Sequence, residues 1–202
     1  MRTKLTILFV LGAFISISAQ IGIQYQYEVL DRPGTASTSF QGQSFGLEYW
    51  FRMKNLRLEF TPVIAYQQFR AHGPIVDNDG RFESLLIEFQ AQIYPMDWEN
   101  DCMCPTFGKT NDFIRKGFFL TLAPYYSHLL SGQLLENDQT YTWGVKFGIG
   151  LDIGIAQFLT LSPVARLNIA PSHYLREAGI SDPLFGYNLM LKASIRLDRR
   201  NY

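Results

Sequence analysis

The sequence predicts an all-β fold: an eight-stranded antiparallel up-and-down transmembrane β-barrel that follows a cleaved signal peptide. Three observations carry that prediction. Apolar residues recur at every second position in segment after segment, which is the period of a strand and not of a helix. The segments run from 9 to 15 residues, enough to cross a bilayer (about 9–11) and longer than ordinary soluble strands (about 5–6). The third is composition: 15% aromatic and 18% charged residues in a chain of 202, the reverse of a disordered chain.

The same composition sets other limits. With 47% hydrophobic residues the chain is long enough for one domain with a real core. Eighteen basic residues against 18 acidic ones leave no net charge, which argues against nucleic acid as a partner. Two cysteines cannot build a four-thiolate zinc site or a disulfide-dense scaffold. No metal and no cofactor is expected.

Arg2 and Lys4 form a positive head before an apolar run from Leu5 to Ile17, and Ser16, Ser18 and Ala19 supply small residues at its exit. This is the plan of a secretory signal, too short for a spanning helix. Cleavage near Ala19 divides the chain into a signal peptide (1–19) and a barrel domain (20–202). Gln20 then comes first, so no lipid-modified cysteine is expected.

The strands follow in order. Ile23, Tyr25, Tyr27 and Val29 alternate with Gln24, Gln26 and Glu28. Phe45, Leu47, Tyr49, Phe51 and Met53 oppose Ser44, Gly46, Glu48 and Arg52, and only Lys54 and Asn55 separate them from Leu56, Leu58, Phe60, Ile64 and Tyr66. A fourth segment sets Leu85, Ile87, Phe89, Ala91 and Ile93 against Glu88, Gln90 and Gln92. The fifth, from Gly117, carries Phe118, Leu120, Leu122 and Tyr126. The sixth is the most regular, with Tyr141, Trp143, Val145, Phe147, Ile149, Leu151, Ile153 and Ile155 on one face. Leu159, Leu161, Ala165, Leu167 and Ile169 form the seventh, and Phe185, Tyr187, Leu189, Leu191, Ala193 and Ile195 the eighth.

One apolar face and one polar face suit a strand between lipid and a lumen. A soluble sandwich or lipocalin would turn the apolar face inward instead, and its outer face would be poor in Lys and rich in Gly. Longer connections near 31–43, 71–82, 129–140 and 171–183 are rich in Gly, Pro, Ser, Asn and Asp. Short turns inside and long loops outside would put both termini in the periplasm of a diderm outer membrane. Tyr66, Tyr141, Trp143, Phe185 and Tyr187 are then expected in an outer aromatic girdle. Tyr49, Trp50, Tyr94, Trp98 and Phe118 are expected in an inner one.

This pattern over residues 20–202 resembles the small eight-stranded outer-membrane barrels, the OmpA-like transmembrane domain and the OmpX-like porin family. The segment DCMCPTFGK (101–109) with KGFF (116–119) is similar to a turn in outer-membrane β-barrel proteins of Bacteroidota. What the resemblance implies is an envelope barrel without a catalytic motif. Such barrels often end on an in-phase aromatic; Tyr202 is aromatic but out of phase with Leu197.

The polar face holds Glu28, Glu48, Arg52, Arg57, Glu59, Glu88, Lys146, Asp152, Arg166, Lys192, Arg196 and Asp198. In an interior barely wide enough for its side chains, balanced charges would pair and plug the lumen, since each left alone would be costly. Glu48, Glu88, Lys146 and Lys192 share one local motif and are expected at similar depth. If they stayed unpaired, a narrow ion or solute channel would be the alternative. GIGLDIG (148–154) superficially resembles a dinucleotide loop, but sits inside a strand rather than between a strand and a helix. Gly144, Gly148, Gly150 and Gly154 share its polar face and would leave room for Phe119, Tyr125 and Arg166. Pro62, Pro124 and Pro163 each predict a bulge or a missing ladder bond.

Two features remain. His72, His128 and His173, with Ser127, Ser131, Ser172 or Glu136, are the residues a lipid-modifying enzyme would need, but no such motif is present and an enzyme is not expected. The inner turn 97–116 is far longer than its fellows and could dock a periplasmic or envelope partner through Trp98, Phe107, Lys109, Arg115 and Lys116; equally, it could be a cap under the barrel. Cys102 and Cys104 could pair there in an oxidising compartment, at some strain. The expected function is structural or interactive within the outer membrane, with lipid as the surrounding solvent.

Overall fold

Strict alternation leaves each segment one way to satisfy its backbone, by pairing on both edges. The computed structural model describes residues 20–31, 39–52, 58–72, 80–95, 117–132, 141–156, 158–170 and 183–196. These form β1 (Gln20–Asp31), β2 (Ser39–Arg52), β3 (Leu58–His72), β4 (Gly80–Ile93), β5 (Phe118–Gly132), β6 (Tyr141–Leu151), β7 (Ile153–Ala156), β8 (Leu159–Ala170) and β9 (Leu184–Arg196). Except for β6 and β7, each pairs antiparallel with its chain neighbours. β1 pairs with β9, and β6 with β8, so the sheet closes on itself. β6 and β7 are two halves of one stave broken at Asp152, both paired to β8. The result is the expected eight-stranded up-and-down barrel, and it has no open edge to protect.

Glu28 and Glu48 turn inward with their parity, while Ile23, Phe45, Leu47, Ile64, Ile149, Leu167 and Leu189 stand exposed on the outside. A soluble barrel would invert that arrangement. The rim where β1 begins and β9 ends is called here the terminal rim, and the opposite one the loop rim.

Several strands run further than their sequence suggests, including β5, which reaches Gly132 within the connection expected near 129–140. β2 begins at Ser39, β3 reaches His72 and β4 starts at Gly80. Over these extensions the pattern is reversed. Gln41, Gln43, Gln68, Arg70 and Arg81 face out, while Phe40, Phe69 and Phe82 face in. The strands evidently continue past the apolar belt, where the outside is polar and alternation no longer looks like a lipid-facing strand.

The prolines mark missing ladder bonds and not bulges. Glu48 pairs with Val63 and Phe51 with Phe60, in one register, and the rungs between them, at Pro62 and Thr61, are missing from the β2–β3 ladder, although Tyr49 and Trp50 keep their β1 partners Ile21 and Gln20. The same gap recurs between Glu88 and Ala91 of β4 opposite Pro124. It recurs again opposite Pro163, where the β6–β7 break falls. Each proline keeps its partner on the other side, Phe89, Val145 and Leu191 respectively. With no N–H to give, each loses one bond to the preceding strand and leaves the register intact. Register shifts lie elsewhere, between Glu83 and Ser84 and between Gly154 and Ala156.

Outside the described residues lie the 1–19 segment, Met53 to Arg57, the turn 97–116 with Trp98, Cys102, Cys104, Phe107, Lys109, Arg115 and Lys116, and Glu136, Ser172, His173, Asp198 and Tyr202.

Candidate functional site

Among the described residues, buried charged and polar side chains gather in the interior, and the inward residues of β8 give its layers. From the loop rim they run Ala170, Asn168, Arg166, Val164 and Ser162.

Ala170 belongs to an apolar cap with Leu30, Phe40 and Leu184, against which Phe69 and Phe82 pack. The Phe40 and Phe82 rings lie 6.0 Å apart. Thus the lumen is not polar throughout; its loop end is closed by hydrocarbon.

Beneath the cap lies a buried ion network. Lys146 Nζ is 3.2 Å from Glu28 Oε2 and 3.4 Å from Glu88 Oε2. Arg166 Nη1 is 2.5 Å from Glu88 Oε1. Two carboxylates and two cations, from β1, β4, β6 and β8, therefore balance. Amides complete them. Arg166 donates from Nη2 to Gln26 Oε1 at 2.9 Å and from Nε to Asn188 Oδ1 at 3.0 Å. Gln90 donates to Glu88 at 2.7 Å and to Gln24 at 3.0 Å. Asn168 donates to Glu28, and Lys146 Nζ sits 4.8 Å over the Tyr125 ring. Charge-assisted contacts of this kind are what a low-dielectric interior requires.

A second pair stands nearer the terminal rim: Lys192 Nζ lies 3.2 Å from Glu48 Oε2, and Ser194 donates to Glu48 Oε1 at 2.6 Å. The four charges that share one motif are thus split, Glu88 with Lys146 and Glu48 with Lys192. Arg52 and Arg196 are placed by their backbones only, opposite Glu59 and Gln20.

At the terminal rim Tyr94, just past the end of β4, donates from its hydroxyl toward Glu59 Oε2 (2.8 Å) and Asp152 Oδ2 (2.7 Å). Trp50 Nε1 donates to the same Glu59 oxygen at 2.6 Å, and Ser162 donates to Asp152 Oδ1 at 2.6 Å. Burial first, then the facing Asp152 and Glu59, push the Tyr94 phenol well above its ordinary pKa, so it stays a protonated donor. This corrects the girdle expectation for two residues. Trp50 and Tyr94 point into the barrel, in the parity of Glu48 and Gln92, and do not face lipid. The outward aromatics there include Tyr49, Phe51, Phe60, Phe118 and Phe158, with Phe51 and Phe60 stacked at 5.5 Å.

The glycines of β6 make the filling possible. A Cβ on Gly144 would overlap the Tyr125 ring, on Gly150 the Phe119 ring, and on Gly148 the Ala165 carbonyl and Arg166. Gly154 is different, with nothing within 4 Å of such a Cβ.

The uncharged members of the network, Gln24, Gln26, Gln90, Asn168 and Asn188, are the part sequence reasoning missed. Their signal was present, since all share the inward parity of the charges. Of the enzyme candidates, Ser127 faces inward and donates to Gln67 at 3.3 Å, whereas His128 is on the outer face. The sheet separates them. Among the described residues no three His, Cys, Asp or Glu side chains gather to hold a metal ion.

No family model and no curated protein matches the chain. Among solved structures the chain is similar to the crystal structure of Neisserial surface protein A (NspA), with a TM-score of 0.43 and 11% identity over 89% of this chain and 97% of that one. The barrel itself rests on the strand pairing described above and needs no support from that likeness.

Proposed function

We propose that the protein is an outer-membrane barrel with a closed lumen, inserted with its terminal rim in the periplasm, and that its role is structural or interactive. The observation that carries this reading is the pairing of two opposite faces. The outside is an apolar belt such as lipid requires, and the inside is a neutral, hydrogen-bonded ion network buried under a hydrocarbon cap. Glu28, Glu88, Lys146, Arg166, Glu48 and Lys192 are paired with one another and bonded to amides and hydroxyls, which favours a plug over a selectivity filter. In this reading the protein has no enzymatic activity, and the separation of Ser127 from His128 supports that. The turn 97–116 would face the periplasm and dock an envelope partner.

Planar-bilayer conductance of the refolded protein tests the reading, with insertion verified by heat-modifiable gel mobility. Verified insertion with a silent membrane is the expected result. Steady unitary steps would replace the plug by a narrow channel.

A further inference from the structure

On the outside of the loop rim, Arg70 of β3 and Arg81 of β4 are directly opposite partners in the ladder. Both face outward and both are exposed. Residues so placed have Cβ atoms about 4.5–5.5 Å apart, and like charges there are unfavourable. Among the described residues neither guanidinium has a carboxylate partner in an ion pair.

The third member of the row is Gln41 of β2, opposite Arg70. Its carbonyl oxygen accepts from the Tyr27 hydroxyl at 3.4 Å, and among the described residues its amide N–H groups have no acceptor. Gln41 therefore adds amide donors to the guanidinium groups of Arg70 and Arg81. Among the described residues of β3 and β4 the next outward row holds one acid, Glu83, opposite Gln68, so Arg70, Arg81 and Glu83 sum to one positive charge.

Position narrows the ligand. Tyr66 and Leu85, also ladder partners, are exposed apolar residues of the belt. Arg70 and Arg81 lie four residues beyond them, which at about 3.4 Å per residue and a tilt near 40° is about 10 Å along the barrel axis. The headgroup layer is about 5–7 Å deep, and an arginine stem reaches down about that far to meet it.

We propose that Gln41, Arg70 and Arg81 bind the phosphate of an anionic lipid in the leaflet at the loop rim. Two guanidinium forks and an amide match a phosphate monoester in geometry and charge, and the bound anion removes the repulsion between the arginines. The site rests on the membrane reading given above.

Native mass spectrometry of the refolded full chain in neutral detergent, with phosphatidic acid as the probe and phosphatidylcholine as the reference, tests it. The wild type should retain phosphatidic acid, and Arg70→Gln with Arg81→Gln should lower that retention by about tenfold or more, with phosphatidylcholine retention unchanged. Arg70→Lys with Arg81→Lys, which keeps the charge and loses the forks, should fall between. Millimolar glycerol phosphate should not displace the lipid; displacement would identify a site for free phosphate and overturn the lipid assignment. Equal retention by wild type and the Gln variant, both showing the heat-modifiable shift, would overturn the site alone. A wild type without that shift would overturn the membrane reading and the site with it.

Discussion

Arg166 Nη1 and Glu88 Oε1 lie 2.5 Å apart on strands β8 and β4, and neither side chain touches solvent. Their closeness is enforced from both sides, by Gln26 and Asn188 on the arginine and by Gln90 and Lys146 on the glutamate. Glu88→Gln leaves Arg166 and Lys146 facing one remaining acid, Glu28. The expected loss is about 3–5 kcal/mol, read as a lower urea midpoint for folding into phosphatidylcholine vesicles. Adding Lys146→Met restores neutrality, so the double variant should lose less than the two single losses combined, by at least about 0.5 kcal/mol. Strict additivity would mean that the network is a set of independent contacts.

Gly148→Ala places a methyl group against the Ala165 carbonyl and the Arg166 backbone. Overpacking of that kind costs about 1–3 kcal/mol. Gly154→Ala, where the space is open, should stay within about 0.5 kcal/mol of wild type. The same urea titration compares the two, and equal effects would remove the packing explanation for the β6 glycines.

The alternation and the inward charges were legible because both follow parity, which the pleat enforces. Trp50 and Tyr94 were misplaced because they were read by residue type, although Trp50 shares the parity of Glu48. The extensions of β2, β3 and β4 were read as loops for a different reason. Gln41, Gln68, Arg70 and Arg81 occupy outward positions above the apolar belt, so the cue that marks a lipid-facing strand is absent there. Which charge meets which was not legible at all. Glu28 and Lys146 sit on β1 and β6, which are not neighbours in the sheet, and only closure brings them together.

Pro124 interrupts the ladder to β4 without shifting it. Pro124→Ala supplies the missing N–H in an unchanged register, so the new amide should exchange with solvent as slowly as those of Leu122 and Tyr126. Hydrogen exchange followed by NMR in micelles reads this directly. Fast exchange at residue 124 would show that the gap has a cause other than the absent donor.

Tyr94 holds its proton between Glu59 and Asp152, with a pKa raised above the ordinary 10.0. The unfolded phenol ionises near that ordinary value while the folded one stays protonated. Its contribution is therefore whole below pH 10 and declines as pH rises through the folded value, by up to about 1.4 kcal/mol per pH unit. Comparing urea midpoints of wild type and Tyr94→Phe from pH 8 to 11 isolates it from the other tyrosines. The wild type should lose stability faster than the variant above pH 10; parallel curves would contradict the shared-proton geometry.

Between Gly144 and Gly150, Lys146 is the one inward position of β6 that carries a side chain. That stave is a bare wall, and the volume before it is occupied by Phe119 and Tyr125 reaching over from β5 and by Arg166 from β8. Truncating those tenants would open a trench along β6 that no residue of β6 could refill. If evolution or an engineer were to drill through this barrel, the bore would follow that stave.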